Sequence, residues 1–225
     1  MKKGIFIVVD GLDGSGKSEI VKMLHNYLFS KSEKTRDFWD TGNAKHFHVH
    51  KKYRILATRE PTNGKYGKKT REMLRKEKNP ESSSKLLMEL FVKDRQEHLK
   101  NTIEPFLKSS SEHELSIVLC DRYYYSTIAF QGAQGLDIEE LIEKNKRFRK
   151  PDIAFILDVE PSIALERIEY REKEKFEQLN FMKDIRQNFL KLPKLLRENI
   201  KIMDSSKPLK SVFENIRKEV DKILD

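Results

Sequence analysis

The sequence predicts an α/β fold, a three-layer, doubly wound parallel sheet of about five strands with helices on both faces. Five short apolar runs have the length of buried strands, and longer segments with apolar residues at helical spacing lie between them. A glycine-rich segment follows the first run directly, at the position where a strand of such a sheet turns into its first helix. Alternating strands and helices require right-handed crossovers, which give a parallel sheet covered on both faces.

The predicted strands are continuous apolar runs, as expected of a sheet whose two faces are both covered. They are Ile5 to Val9, Tyr53 to Ala57, Leu115 to Cys120, Ile153 to Leu157 and Ile200 to Met203.

The predicted helices are identified by apolar residues three and four positions apart. The first begins after Gly16, where Ile20, Val21, Leu24 and Leu28 recur at this spacing. The clearest pattern runs from Leu86 to Leu107 and includes Phe91 on its apolar stripe. Further helices are predicted near residues 66–76, 137–147, 160–175, 180–197 and 208–224.

The length of 225 residues suits one domain, so we expect residues 1–225 to form a single unit. Residues 31–52 are polar and mixed in charge, which predicts an insertion or extended loop. His46, His48 and His50 alternate there, and alternate residues of a strand face one side, so a metal site is one interpretation. Because no carboxylate or cysteine stands at supporting spacing, an exposed hairpin or loop is the other.

Composition limits the partners and the compartment. Lysine and arginine outnumber aspartate and glutamate 45 to 36, but both signs are interleaved along the predicted helices. This pattern favours an ordinary solvated surface over a nucleic-acid-binding face. The amino terminus lacks the apolar region of a signal peptide, no run approaches the roughly 20 apolar residues of a membrane span, and the single Cys120 suits a reducing compartment. We therefore expect a cytoplasmic protein that binds neither nucleic acid nor membrane.

The segment after the first strand matches the pattern G-x-x-x-x-G-K-[ST], in which backbone N–H groups surround the phosphates of a nucleotide. The positive end of the following helix dipole faces the same charge. In this pattern Lys17 reaches the outer phosphates and Ser18 holds Mg²⁺. The predicted ATP-binding residues are Gly11, Leu12, Asp13, Gly14, Ser15, Gly16, Lys17 and Ser18.

Polar residues also follow the second and third predicted strands, as Arg59-Glu60-Pro61 and Asp121-Arg122. Because ligands bind beyond the carboxyl ends of parallel strands, we expect both segments to share one cleft with the glycine-rich loop. Asp121 then faces the magnesium ion. Phosphoryl transfer requires cations around the transferred group, and the candidate arginines are Arg59, Arg95, Arg122 and Arg171.

The chain resembles the thymidylate kinases through nearly its whole length. The blocks that carry the resemblance are Asp10 to Ser18, Thr58 to Pro61, Leu90 to Arg95 and Asp121 to Gly132, together with Pro151-Asp152 and Ile156 to Val159. The resemblance implies transfer of the ATP γ-phosphoryl group to dTMP, giving ADP and dTDP. It also implies Mg²⁺ as cofactor, a fold of the P-loop nucleotide kinase type and a homodimer.

The same resemblance implies roles for the acceptor-binding residues. Phe91 stacks on the thymine ring, Arg95 bonds a base oxygen, and Thr127 and Gln131 lie against the base. Since Phe91 also fits the apolar stripe of its helix, a core position is the alternative. The remaining predicted acceptor residues are Asp13, Arg59, Arg122, Ser126 and Phe130.

Asp13 and Arg122 are placed by the resemblance at the acceptor phosphate, where the guanidinium can make paired hydrogen bonds. Because a phosphate monoester is largely ionised at neutral pH, we expect Asp13 to orient the acceptor and the ion and not to act as a base. Residues 167–178 resemble a lid, with Arg171 as the catalytic cation and Lys173 and Lys175 as substitutes. A solvated charged helix is the alternative interpretation of this run.

The sequence departs from the family pattern at Glu19, in the long 31–52 segment and in the three tyrosines Tyr123 to Tyr125. One methyl group discriminates weakly, at about 1 to 3 kcal/mol, so dUMP or UMP remain possible acceptors. Another nucleoside monophosphate or deoxynucleoside kinase is the nearest alternative. A nucleotide-dependent switch or binding protein is the alternative from another class.

Overall fold

The computed structural model of the chain describes residues 4–32, 53–76, 80–111, 114–168 and 172–224. The alternating histidines of the 31–52 segment and Arg171 lie outside the described residues, as do the side chains of Lys173 and Lys175.

In the described part of the chain, five parallel strands form one sheet, in the order β2-β3-β1-β4-β5. Their bounds are Ile5–Gly11 for β1, Tyr53–Arg59 for β2, Leu115–Asp121 for β3, Ile153–Asp158 for β4 and Ile200–Asp204 for β5. Since β1 lies at the centre, the sheet extends outward on both sides of it. The predicted α/β fold, with a doubly wound parallel sheet, is therefore confirmed.

The register of the central strands brings their carboxyl ends together. Val9 pairs with Asp121 of β3, and Gly11 pairs with Leu157 of β4. The segment that leaves β1 therefore begins directly beside the ends of both neighbours.

Helices cover both faces of the sheet. Their bounds are Lys17–Ser30 for α1, Lys65–Lys76 for α2, Pro80–His98 for α3, Glu104–Lys108 for α4, Tyr124–Ala133 for α5, Ile138–Asn145 for α6, Pro161–Glu166 for α7, Glu172–Leu196 for α8 and Leu209–Leu224 for α9. A π-helical turn, Leu99–Ile103, joins α3 to α4. Among the described residues, no helix combines the length and the hydropathy needed to span a bilayer.

Within the described ranges, two apolar clusters form the core, one on each face of the sheet. Successive side chains of a strand point to opposite faces. Phe6 and Val8 accordingly pack with residues of α3, α5 and α8, whereas Ile7 and Val9 pack with residues of α1 and α9.

The helix predictions differ from the structure in two regions. Helix α5 was missed because its buried residues surround most of its circumference and leave no single apolar stripe to recognise. The predicted helices 160–175 and 180–197 were misplaced, since α7 ends at Glu166 and α8 continues without a break from Glu172 to Leu196. The strong helix formers of residues 172–179 explain why α8 extends across the expected gap.

Candidate active site

The phosphate-binding loop, residues 11–18, joins β1 to α1 and has glycine at positions of positive φ, Gly14 and Gly16 among them. Gly14 has φ of 76°, and a Cβ atom there would lie 2.3 Å from the carbonyl oxygen of Ala164. Gly16 has φ of 93° and precedes the first residue of α1, so the backbone turns sharply into the helix. Both conformations are costly for other residues, which explains the glycine-rich sequence.

Lys17 lies beneath the loop and is 6% exposed. Its Nζ donates a hydrogen bond to the Leu12 carbonyl oxygen at 2.6 Å and lies 4.0 Å from Asp13 Oδ1. Burial, together with the charge of Arg122, lowers the pKa of Lys17 to about 8. Ser15 Oγ is buried, and the structure shows no hydrogen-bond partner for it among the described residues. The loop therefore offers both a cation and a polar atom to an anion.

Ser18 and Asp121 supply oxygen atoms at the edge of the loop. Ser18 Oγ donates a hydrogen bond to Asp121 Oδ2 at 2.6 Å. Asp121 Oδ1 is buried and has no hydrogen-bond partner within the described part of the chain. Magnesium prefers hydroxyl, carboxylate and phosphate oxygens, so this pair fits the ion that the sequence implies.

A cavity of about 750 Å³ opens beside the loop. It lies at the carboxyl ends of β2 and β3, which is where the sheet topology predicts a ligand. Ten of the residues predicted from the sequence line it, namely Asp13, Ser18, Arg59, Phe91, Arg95, Asp121, Arg122, Ser126, Phe130 and Gln131.

Arg122 crosses the cavity towards the loop. It donates hydrogen bonds to Asp13 Oδ1 through Nη2 and to Ser126 Oγ through Nη1, the latter at 2.9 Å. Burial acts to lower the pKa of Arg122, but the carboxylates of Asp13, Asp10 and Asp121 raise it above its ordinary value. Withdrawal from water acts to raise the pKa of Asp13, and Arg122 and Lys17 outweigh it and hold that pKa below its ordinary value. Asp13 is therefore suited to orient a ligand and poorly suited to accept a proton.

Arg95 is almost completely buried at the far end of the cavity. Its Nε donates to Glu60 Oε2 at 2.9 Å, and Nη1 donates to Asn145 Oδ1 at 2.7 Å. Thr127 Oγ1 accepts a hydrogen bond from Nη2 at 3.1 Å. His98 Nδ1 lies 3.2 Å from Glu60 Oε1. We call these five residues the Arg95 network.

Gln131 and the two phenylalanines complete the cavity wall. Gln131 Nε2 donates to Gln134 Oε1 at 3.2 Å, and Gln131 Oε1 is a buried acceptor without a hydrogen-bond partner among the described residues. The Arg122 guanidinium lies 5.3 Å from the centre of the Phe130 ring. Phe91 lines the cavity and is partly exposed, so it lies outside the fully buried core.

A second depression of about 470 Å³ lies on the other side of the phosphate-binding loop. Arg167 spans it, donating to the Gly14 carbonyl oxygen at 3.3 Å and to the Ser205 carbonyl oxygen at 3.1 Å. Arg167 is the first residue of the predicted lid, but no contact with the phosphate-binding loop was predicted for it, and the segment 205–209 that lines this depression was missed. Gln134 and Asn145 were also missed. Glu60 was expected in the cleft as part of Arg59-Glu60-Pro61, but its pairing with Arg95 was not predicted.

The sheet, the loop and the arginine-lined cavity define a nucleotide kinase of the P-loop class. The family model described as thymidylate kinase matches residues 44–216. The chain is 34% identical over 223 residues to a probable thymidylate kinase of Archaeoglobus fulgidus, covering 98% of this chain and 97% of the relative. It is 34% identical over 222 residues to a probable thymidylate kinase of Pyrococcus horikoshii, covering 95% and 94%. It is also 37% identical over 206 residues to a thymidylate kinase of Leptospira borgpetersenii, covering 90% and 86%. The chain belongs to the thymidylate kinase family, as the sequence resemblance indicated.

Proposed function

We propose that this protein transfers the γ-phosphoryl group of ATP to dTMP, giving ADP and dTDP. The observation that carries the proposal is the contact between Arg122 and Asp13, which joins the wall of the large cavity to the phosphate-binding loop. A donor phosphate on the loop and an acceptor phosphate on Arg122 would therefore meet at one point. Family membership supports the same reaction.

The chemistry is mainly positioning and neutralisation of charge. Lys17 and the loop N–H groups hold the donor phosphates, and Arg122 holds the acceptor phosphate through paired hydrogen bonds. Asp13 keeps the Arg122 guanidinium oriented towards the loop. The acceptor oxygen needs no base, since the second pKa of a phosphate monoester is about 6. Ser18 and Asp121 would hold Mg²⁺, which neutralises charge on the donor phosphates when bound.

Recognition of the base depends on one donor and one acceptor. Gln131 Oε1 has no hydrogen-bond partner among the residues that the structure describes and can accept, and the Arg95 guanidinium can only donate. A pyrimidine with a 4-oxo group presents the complementary pair, an N3–H donor and an O4 acceptor, whereas cytosine presents the reverse pair. With Phe91 stacked on the ring, the site would select thymine or uracil over cytosine. Because the 5-methyl group adds only about 1 to 3 kcal/mol, dUMP or UMP would be the weaker alternatives.

We assign the base of the ATP donor to the depression that Arg167 spans. Residues 205–209 border it, and it adjoins the loop that would hold the donor phosphates. Residues 167–178 would form the lid, with Arg171 as its catalytic cation.

Homodimeric assembly, a cytoplasmic location and a single domain over residues 1–225 belong to the same proposal. Family resemblance supports the dimer. Sedimentation equilibrium at micromolar protein would decide the assembly, because a mass near 26.6 kDa would identify a monomer.

The reaction is tested by ADP release from purified protein with ATP and Mg²⁺. The acceptors to compare are dTMP, dUMP, UMP, dCMP, dGMP, AMP and thymidine. Selective turnover of dTMP is the expected result. Turnover of another acceptor would leave a kinase but overturn the assignments of Phe91, Arg95 and Gln131. ADP release that no acceptor stimulates would point to a nucleotide-dependent switch or binding protein.

A further inference from the structure

Asp10 lies near the end of β1, immediately before the phosphate-binding loop, and its side chain has no exposure to solvent. Its Oδ1 accepts hydrogen bonds from the Gly11 N–H at 2.8 Å and from Ser126 Oγ at 2.6 Å. Its Oδ2 accepts from the N–H groups of Tyr123 and Ser126, both at 3.0 Å. One buried carboxylate therefore joins the start of the loop to the start of α5.

The four groups that hydrogen-bond to this carboxylate among the described residues are all donors, which fixes the direction of the Ser126 hydroxyl. A hydroxyl has one proton, and Ser126 gives it to Asp10. Its oxygen is left to accept, and it accepts from Arg122 Nη1 at 2.9 Å. Asp10, Ser126 and Arg122 thus form a chain of hydrogen bonds with one polarity.

The backbone of Arg122 is strained within the same arrangement. Its φ of 72° lies in the left-handed region, which is costly for a side chain of this size. The conformation is held by the Arg122 N–H, which donates to the Val9 carbonyl oxygen at 3.0 Å, and by the next N–H, that of Tyr123, which donates to Asp10. Such strain persists where the surroundings over-determine it and is concentrated at functional sites.

We infer that Asp10 is a positioning residue that acts through Ser126 to hold Arg122 in the geometry needed for phosphoryl transfer. The inference rests on the proposed function, in which Arg122 binds the acceptor phosphate. It also assigns Ser126 a different role from the predicted one. Its hydroxyl proton is committed to Asp10, so Ser126 serves Arg122 and does not donate to the substrate.

A purely structural role is the competing explanation, because Asp10 also accepts the N–H of Ser126 in the first turn of α5. The two explanations differ in what happens when Arg122 is already absent. A positioning residue loses its effect on turnover in an Arg122→Ala background, whereas a structural residue keeps its effect.

The first test compares Ser126→Ala with Ser126→Thr, since threonine keeps the hydroxyl and alanine removes it without touching the backbone. We expect Ser126→Ala to lower kcat for dTMP about tenfold, the scale of one lost hydrogen bond to a charged group. Ser126→Thr should stay within about threefold of the native enzyme. Thermal unfolding of both variants would show whether they are folded to the same extent.

The second test is a double-mutant cycle at steady state. Arg122→Ala alone is expected to lower kcat at least about a hundredfold. Adding Ser126→Ala, or Asp10→Asn where it folds, should then lower kcat by less than about twofold more. Asn is the informative change at position 10, because its amide offers only one acceptor oxygen to four donors.

Effects that multiply in the double variants, or a Ser126→Ala enzyme with native kcat, would overturn the inference while native turnover of dTMP upholds the proposed function. If the native protein forms no ADP in response to dTMP, the proposed function itself fails and the inference falls with it. The two failures are therefore distinguished by the native enzyme alone.

Discussion

The phosphate-binding loop and the Arg95 network face the same cavity, but one is built from consecutive residues and the other from residues far apart in the chain. The loop has a shape set by the backbone of residues 11–18, and within the described ranges no carboxylate lies closer than 4.0 Å to the buried Lys17 Nζ. The network joins Glu60, the residue after β2, to residues of α3, α5 and α6, and pairs Arg95 closely with Glu60. The loop thus keeps a charge unsatisfied for its ligand, whereas the network satisfies most of its own charge and fixes its shape.

Removing a charged side chain should therefore affect stability in opposite directions in the two regions. The largest effect is expected in the Arg95 network. Replacing Glu60 with Ala leaves Arg95 buried without its charge partner and removes a partner of His98. Breaking a buried pair in this way costs about 3–5 kcal/mol, which urea unfolding of the purified variant would measure. Glu89 is exposed on the neighbouring helix α3, so Glu89→Ala is the matched control and should stay within about 0.5 kcal/mol of the native protein.

If Glu60→Ala and Glu89→Ala were equally stable, the ion pair of Glu60 with Arg95 would not stabilise the fold. Glu60→Gln provides a graded test, because it keeps the shape and one acceptor oxygen but removes the charge. Its free energy of unfolding should lie between those of the native protein and Glu60→Ala.

In the loop, replacing the buried cation should abolish activity without destabilising the fold. Lys17→Met is expected to lower kcat at least about a hundredfold, since one charge-stabilising donor is lost. Because burial lowers the pKa of Lys17 to about 8, the charged form is disfavoured in the empty protein, and the variant should be as stable as the native protein or more stable. Steady-state ADP release and urea unfolding measure the two effects. Lys76→Met, at an exposed lysine of α2, is the control that should change neither.

The predicted loss of turnover and the predicted stability of Lys17→Met can each be contradicted separately. Near-native turnover of Lys17→Met would remove Lys17 from the mechanism. A loss of stability comparable to that of Glu60→Ala would show that the loop and the network are held together in the same way.

The same contrast explains how much could be predicted from the sequence. The strands and the loop were predicted well because each depends on consecutive residues whose spacing and glycines carry the information. Asn145 is the last residue of α6 and Gln134 directly follows α5, and neither position carries a sequence signal for its contact with Arg95 or Gln131. Helix α5 was missed because it is buried on most sides, so the tertiary packing that defines it leaves no periodic signal.

Phe91 shares a feature with each region. It belongs to the apolar stripe of a helix, and it also lines the cavity. Phe91→Ala should raise the KM for dTMP about tenfold and leave kcat nearly unchanged, because stacking is equal in the ground state and the transition state. Initial rates over a range of dTMP concentrations separate the two constants. Phe181 is partly buried against the core elsewhere, so Phe181→Ala is a control for lost packing alone. A fall in kcat without a rise in KM would place Phe91 in the core.

The smallest predicted effect is the uptake of a fraction of a proton when ADP binds. It distinguishes the phosphate-binding loop from the Arg95 network most directly. A bound phosphate raises the pKa of Lys17 above its value of about 8, so nucleotide binding takes up protons where the empty site is largely neutral. At pH 8.5 we expect uptake of up to about three-quarters of a proton per ADP bound, and at pH 7 only about a tenth. Titration calorimetry of ADP in metal-free buffers with different ionisation enthalpies measures the uptake. The side chain of a Lys17→Arg variant stays charged, so this variant should lose the proton uptake while still binding ADP.

The binding of dTMP provides the comparison with the other region. Its base would meet the Arg95 network and its phosphate would meet Arg122, so proton uptake on dTMP binding should show no comparable rise between pH 7 and 8.5. Equal uptake with both nucleotides would mean that the loop does not keep its cation partly neutral until the donor binds.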